Sequence, residues 1–551
     1  MADDRRFTDR SACAPLPAAR RRFTGSPSVR KLLLATAGAA AAMLWAVVAG
    51  CASKGPMPRL ATEDLPPMSA SGETIAPDRW WISFEDRALD REVNLALGEN
   101  FDLAVALGRL RAAQAVTRIE ASDWCWDLDG FADSASGYGP GPDATQMTLG
   151  LDASYQLDLW GQIRSRVDAE RFRASATRAD YQAVALSLSG QVARTWYTLI
   201  EAHAQLKLLE EQVETNRQGL KAVELRYKEV GEGGPNVLRQ KQLVQSTLEQ
   251  MVSVRASIEV LEHQLAVLTG QPPQTATYTP GDSLPELPPT PWTGLPAELL
   301  NRRPDVRAAF LALAAADRDV AAAVSDQYPR LNLRASLVNS AQNPETLFRV
   351  WFFSLGGQLI GPIVDGGQRR AEVDRTRAVV WQRFNEYQQT VFVALQEVED
   401  GLALERRQLE RIELLEAQLE SADLASQQLL QYFITGNTSY LDVLSTVQSK
   451  QSLQRSILSA RLDLILIRIS LYLALAGDFD TTPLGSMELL SDASQLPSGI
   501  EIDLDAGDVE PLSPPPTGMP VEASPAPSEL PSPAAAGNAT VQPAPEFQLN
   551  E

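Results

Sequence analysis

The stretch TQMTLGLDASYQLDLW, residues 145–160, alternates apolar and polar residues without interruption. Successive side chains of a β-strand point to opposite faces of the sheet, so this alternation predicts one long strand with an apolar face and a polar face. The apolar positions are Met147, Leu149, Leu151, Ala153, Tyr155, Leu157 and Leu159. Asp152 and Asp158 lie on the opposite face, and a carboxylate needs water or a partner there.

Three other segments show the same two-faced pattern and predict three more strands. They are 124–134, with Asp127 and Asp129 at polar positions, 331–337 and 350–360. Two folds have such strands: a transmembrane β-barrel with a polar lumen, and a soluble sandwich with one wet face. Four strands cannot close a barrel, and an open sheet edge is not tolerated in lipid. The membrane fold therefore requires several chains in one barrel, and three chains give twelve strands.

Two long segments without proline predict helices of unusual length. Residues 161–230 and 367–433 carry apolar residues at helical spacing, and each helix would extend for roughly 100 Å. Turn signals at 231–235 and 435–439 end them, and the chain returns in helices over 236–268 and 440–475. Such pairs are typical of coiled or bundled rods, and an ordinary coiled-coil scaffold has the same pattern.

The chain also repeats itself at an offset of about 206 residues. Gly161-Gln162 matches Gly367-Gln368, and Val237-Leu238 matches Val443-Leu444. A repeat of this length indicates two copies of one architecture. We therefore divide the chain into a signal peptide (1–50), an N-terminal arm (51–84), a first repeat (85–275), a linker (276–294), a second repeat (295–477) and an acidic, Pro/Ala-rich tail predicted to be disordered (478–551).

The N-terminus is predicted to be a lipoprotein signal peptide. Basic residues precede the apolar run from Leu32 to Val48, and the small residues Ala49 and Gly50 come directly before Cys51. A transmembrane anchor is the alternative, because the run approaches spanning length. The cysteine favours the signal, since it resembles a bacterial lipobox, which implies lipid attachment at Cys51. By the same analogy, Ala52 favours sorting to the outer membrane.

Composition argues against several classes of function. The 551 residues carry a net charge of −21, which disfavours nucleic acid as a partner. Two histidines, His203 and His263, and three cysteines make a zinc site or a disulfide framework improbable. There is no phosphate-binding glycine loop, and no nucleophile has a base beside it. The sequence therefore predicts no enzyme, no metal site and no cofactor.

The chain from about residue 51 to 477 resembles bacterial outer-membrane efflux proteins of the TolC type, and more narrowly the NodT-like lipoproteins of RND efflux systems. The motifs that carry the resemblance are Trp80-Trp81, Asn100-Phe101-Asp102-Leu103, Tyr155-Gln156-Leu157-Asp158-Leu159-Trp160-Gly161, Asn301-Arg302-Arg303-Pro304-Asp305, Tyr328-Pro329 and Tyr440-Leu441-Asp442-Val443-Leu444.

The resemblance implies an α+β membrane protein that is a homotrimer. Four strands from each subunit would form a shared twelve-stranded barrel in the bacterial outer membrane, and the long helices would form a periplasmic α-helical barrel. The implied function is the exit duct of a tripartite pump, with a periplasmic adaptor and an inner-membrane RND transporter as partners. The exit channel of a protein-secretion system, and a periplasmic scaffold or adaptor lipoprotein without a channel, remain as alternatives.

Several residues are expected to carry this function. Asp442 in three copies would form a ring of carboxylates at a constriction, or would simply stabilise the start of a helix through its dipole. Asn236 and Arg239 of the first turn are candidates to bond with it and hold the duct shut. The expected adaptor-docking positions are Gly231, Gly436 and Asn437, and the expected lumen residues are Asp127, Asp129, Asp152 and Asp158.

Overall fold

Helices account for most of the residues that the computed structural model describes. The structure describes residues 56–58, 66–75, 77–137, 144–230, 233–281, 283–293 and 302–475. The helices are α1 (Arg87–Glu99), α2 (Phe101–Ser122), α3 (Gln162–Val230), α4 (Gly234–Leu268), α5 (Pro304–Ser325), α6 (Gln368–Ile434) and α7 (Tyr440–Leu475). The strands are β1 (Thr74–Ile75), β2 (Asp127–Gly137), β3 (Ala144–Leu157), β4 (Pro291–Trp292), β5 (Arg330–Ala341) and β6 (Trp351–Ile360).

The two long helices and their return helices follow the predicted bounds. α3 has 69 residues and α6 has 67, so each is about 100 Å long at 1.5 Å per residue. α3 packs against α4, and α6 packs against α7. Each half of the chain thus contains two strands, one long helix and one return helix, in that order. No helix in the described ranges is both long enough and apolar enough to cross a membrane.

The four long strands form one antiparallel sheet in the order β2-β3-β5-β6. The first strand begins at Asp127, three residues after the predicted start, because the backbone is still turning at that point. The amide of Trp124 donates to the Ala121 carbonyl at 3.2 Å, and the amide of Cys125 donates to the Ser122 carbonyl at 2.8 Å. Within the described residues, β2 and β6 each have one side without a strand partner.

The largest apolar core joins the N-terminal arm to the long helices. Trp80 and Trp81 are fully buried, and they pack with residues of α1, α3, α4 and α7. The indole Nε1 of Trp80 donates to Ser189 Oγ of α3 at 3.0 Å, and that of Trp81 donates to Asp90 of α1 at 3.0 Å. These tryptophans therefore pack the arm against the long helices.

A buried ion pair fixes the linker between the repeats. Arg468 of α7 donates from Nε and Nη2 to the carboxylate of Glu405 of α6, at 2.7 and 2.6 Å. The same guanidinium donates to the Pro289 carbonyl at 2.9 Å and to Thr290 Oγ1 at 3.3 Å, and it also bonds the Pro288 carbonyl. One arginine therefore holds α6, α7 and the linker together, and its charge is balanced inside the protein.

Candidate functional site at the sheet and the helix tips

One face of the sheet is polar, and three of the predicted lumen residues lie on it. Asp129 of β2 pairs with Asp152 of β3, and Asp127 starts the neighbouring polar row, because residues two apart on a strand share a face. Read from β2 to β6, the two rows are Asp127, Ser154, Arg334 and Gly356, and then Asp129, Asp152, Ser336 and Ser354.

The opposite face of the sheet is apolar. Between the two polar rows lies the row of Leu128, Ala153, Ala335 and Leu355, and the next apolar row contains Leu151, Leu337 and Phe353. The edge strand β6 is exposed along its whole length, and Leu355 and Phe353 are each 69% exposed. Along these rows, the alternation predicted from residues 145–160 continues across all four strands.

Asp158 differs from the prediction that it lies on the polar face with the other three aspartates. β3 ends at Leu157, and the amide of Leu159 turns back to the Leu157 carbonyl at 2.9 Å. The carboxylate of Asp158 accepts the amides of Ile163 at 3.1 Å and Arg164 at 2.9 Å. It satisfies amides in the first turn of α3, which otherwise have no partner within the helix.

Asp442 lies in the first turn of α7, at the second helix tip, residues 435–442. Its Oδ2 accepts hydrogen bonds from Ser439 Oγ at 2.8 Å, Thr438 Oγ1 at 2.9 Å and the Ser439 amide at 3.3 Å. The bonds from Ser439 and Thr438 hold the pKa of Asp442 below its ordinary value. This is the reciprocal capping arrangement of a helix N-terminus. Its other oxygen, Oδ1, accepts no hydrogen bond from the described part of the chain.

Among the other predicted tip residues that the structure describes, none hydrogen-bonds to Asp442 within one chain. Arg239 donates from Nη1 to Asn236 Oδ1 at 3.3 Å, so these two side chains of α4 bond to each other. Gly436 has a φ of 80°, a left-handed conformation that suits glycine, and Asn437 donates to Thr435 Oγ1 at 3.0 Å. Gly231 lies outside the described residues.

The structure contains a buried contact between the two tips that the sequence analysis did not predict. Tyr440 of α7 donates its hydroxyl to Gln240 Oε1 of α4 at 2.6 Å, and Gln240 donates to the Asn216 carbonyl of α3 at 2.8 Å. Burial raises the pKa of Tyr440 to about 12. Arg226 of α3 lies over the Phe433 ring, 4.3 Å from its centroid, and donates to the Phe433 carbonyl at 3.0 Å. The tips of both repeats are thus joined within one chain.

The motif Arg303-Pro304-Asp305 begins helix α5. Pro304 is the first residue of α5. A backbone N–H at that position has no partner within the helix, so the lack of an N–H in proline costs no hydrogen bond. Burial acts to raise the pKa of Asp305, but the hydrogen bonds and charge of Arg303 lower it below its ordinary value. Arg303 also bonds Glu397 of α6 at 2.7 Å and the Ala474 carbonyl of α7 at 3.2 Å. The motif therefore also ties α5 to the other helices of the second repeat.

The remaining predicted positions add no chemical centre. His203 lies on α3 and His263 on α4, and the described residues contain no group of three or more His, Cys, Asp or Glu arranged to hold a metal ion. Cys51 lies outside the described residues, so its predicted lipid attachment remains a prediction.

Over most of its length the chain is similar to outer membrane efflux proteins. The profile "Outer membrane efflux protein" matches residues 93–271 and 295–477. The pyoverdine export outer membrane protein OpmQ of Pseudomonas aeruginosa is 30% identical over 434 residues, 75% of this chain and 90% of OpmQ. Nodulation protein T of Rhizobium leguminosarum bv. viciae is 27% identical over 424 residues, 74% of this chain and 86% of that protein.

The fold also matches nearly the full length of a solved structure. The outer-membrane channel OprN superposes with a TM-score of 0.70 at 28% identity, covering 77% of this chain and 99% of that one. The matched profile describes efflux proteins, OpmQ is an export protein and OprN is a channel; none of these is an enzyme. The two profile matches fall within the predicted repeats, 85–275 and 295–477.

Proposed function

Because the chain belongs to the outer membrane efflux protein family, and is therefore an efflux protein and not an enzyme, we propose that it is the outer-membrane exit duct of a tripartite efflux pump. It conducts small molecules passively from a periplasmic adaptor and an inner-membrane RND transporter to the exterior. The observation that carries this proposal is the sheet with one polar face, one apolar face and two edges that have no strand partner among the described residues.

The sheet supports a barrel that three chains share. β2 and β6 run antiparallel across the four strands, so the β6 edge of one copy meets the β2 edge of the next in the antiparallel sense. Closure removes both edges, which lipid requires. The exposed apolar face then meets hydrocarbon, and the polar face with Asp127, Asp129 and Asp152 lines the lumen. Three copies give twelve strands, an even number that keeps every pair antiparallel.

The long helices supply the periplasmic part of the duct. α3 begins just after β3 and α6 just after β6, and both extend about 100 Å to the tips, far beyond the thickness of one membrane. The adaptor would dock at the tips near Gly231, Gly436 and Asn437. Lipid at Cys51 would add an anchor in the outer membrane beside the barrel.

The tips are also the proposed constriction. Since Oδ1 of Asp442 has no partner within the described chain and Arg239 bonds only to Asn236 there, each has capacity for a contact with another copy. A bond between Asp442 of one copy and Arg239 of the next would hold three tips together around the axis. Breaking that bond would widen the duct.

Single-channel recording in a planar bilayer tests the proposed duct. Detergent-purified mature protein is expected to insert and to give discrete current steps, mostly short and small because the tips are closed. The passage of ions requires only a continuous aqueous lumen, so no adaptor is needed. Folded protein that never produces current steps would contradict the duct and favour the scaffold lipoprotein. Export of a folded protein substrate from cells, lost on deletion of this chain, would favour a secretion channel.

A further inference from the structure

One apolar row interrupts the polar face of the sheet. Phe131 of β2 pairs with Gly150 of β3, and the row continues with Val338 of β5 and Phe352 of β6. Because residues two apart on a strand share a face, Phe131 lies on the same face as Asp129. Three apolar side chains are therefore placed where the surrounding pattern is polar.

Packing within one chain accounts for one phenylalanine of this row but not for the other. A Cβ atom added to Gly150 would lie 2.7 Å from Cζ of Phe131, so the Phe131 ring lies directly across the glycine and covers it. Phe352 is 68% exposed. A ring left in water contributes nothing to folding through burial, so packing within one chain does not account for Phe352.

Carboxylates border the apolar row on both sides. Asp129 and Asp152 form the row toward the helices, and Asp133 begins the row toward the β2–β3 hairpin. Asp127 and Arg334 lie one polar row further toward the helices. Across these rows, four carboxylates and one guanidinium leave an excess of three negative charges per chain. An apolar stripe between carboxylates is complementary to a molecule with both a positive charge and an apolar group.

We propose that Phe131, Val338 and Phe352, with the carboxylates beside them, form a weak contact site for amphipathic organic cations that pass through the lumen. This inference rests on the proposed function, in which the polar face lines the duct. The apolar side chains contact the apolar part of the cation, the rings attract its charge through their faces, and the carboxylates concentrate cations nearby. The contact must be weak, because a conduit has to release what enters it.

Block of single-channel current by tetraphenylphosphonium tests the site. Tetraethylammonium carries the same charge on a much smaller apolar group, and tetraphenylborate has the same shape with the opposite charge. The variant is Phe352→Ser. Its matched control is Phe353→Ser, the adjacent residue, which is 69% exposed on the opposite face of the sheet.

Tetraphenylphosphonium is expected to block at lower concentration than either other ion. Phe352→Ser is expected to raise its half-blocking concentration by about fivefold, the size of one aromatic contact with a cation, and Phe353→Ser is expected to leave it unchanged. Equal block by tetraphenylborate, or an unchanged half-blocking concentration in Phe352→Ser channels of wild-type conductance, would overturn the site alone. Folded wild-type protein without any conductance would overturn the proposed duct, and the site with it.

Discussion

Replacement of Glu405 by Gln is expected to destabilise the folded chain by about 3–5 kcal/mol, because it leaves the guanidinium of Arg468 buried without a counter-ion. Glu405 is only 7% exposed and Arg468 only 2% exposed, so water cannot reach the guanidinium to solvate its charge. Since Arg468 also holds the carbonyls of the linker, we expect the linker to loosen. The measurements are the free energy of unfolding in denaturant and the rate of cleavage at Glu286 by a glutamate-specific protease.

The matched control is Glu410→Gln on the exposed side of the same helix. Glu410 accepts from Arg407 at 2.7 Å, but these side chains are 52% and 69% exposed. A solvated pair of this kind contributes about 0.5 kcal/mol or less, so this variant is expected to unfold like the wild type. Equal destabilisation by the two substitutions would show that burial of the Glu405 pair does not determine its contribution.

Replacement of Asp442 by Asn is expected to raise the open probability of the duct by roughly tenfold. The reason is the proposed bond from Asp442 of one copy to Arg239 of the next, which the neutral amide does not support as an ion pair. Single-channel recording measures the open probability directly: wild-type channels are expected to show rare, small openings, and the variant sustained, larger ones.

Asp442 also caps α7, so the experiment needs a variant that separates capping from charge. Ser439→Ala removes the hydroxyl that donates to Asp442 at 2.8 Å and keeps the carboxylate. It is expected to leave the channel closed, with at most a small loss of helix stability. If Ser439→Ala opens the duct as far as Asp442→Asn does, Asp442 acts by capping the helix, and the proposed bond between copies is wrong.

The local pattern of the sequence predicts the elements well, because the signals are short-range. The alternation within residues 145–157 is sufficient to assign faces to β3, and the register then assigns faces to its neighbours. The return helix α7 runs from Tyr440 to Leu475 as predicted, because turn residues precede it and its apolar periodicity is continuous. The sequence alternation continues through residue 160, but β3 ends at Leu157. The chain turns there toward Gly161 and the start of α3, so Asp158 lies outside the strand.

Contacts between distant segments are not visible in one sequence. Arg468 and Glu405 are 63 positions apart, and Tyr440 and Gln240 are 200 apart. Helical periodicity predicts which face of a helix is buried, but not which neighbouring helix covers it. A buried arginine within an apolar helix was a usable signal, since Arg468 requires an acidic partner when it is buried. Asp442 shows the reverse: the sequence predicted its position at the helix start, and its neighbours Thr438 and Ser439 make it a cap.

Pairing of the β6 edge of one copy with the β2 edge of another is the central claim, and photo-crosslinking tests it most directly. The photoreactive residue benzoylphenylalanine replaces Phe353 of β6, and the detergent-purified protein is irradiated and analysed by denaturing gel and peptide mass spectrometry. We expect products of two and three chains and none larger, with the crosslinked peptide lying in residues 127–137 of a different copy. Crosslinks confined to one chain, or ladders that extend beyond three chains, would contradict a closed barrel built from three copies.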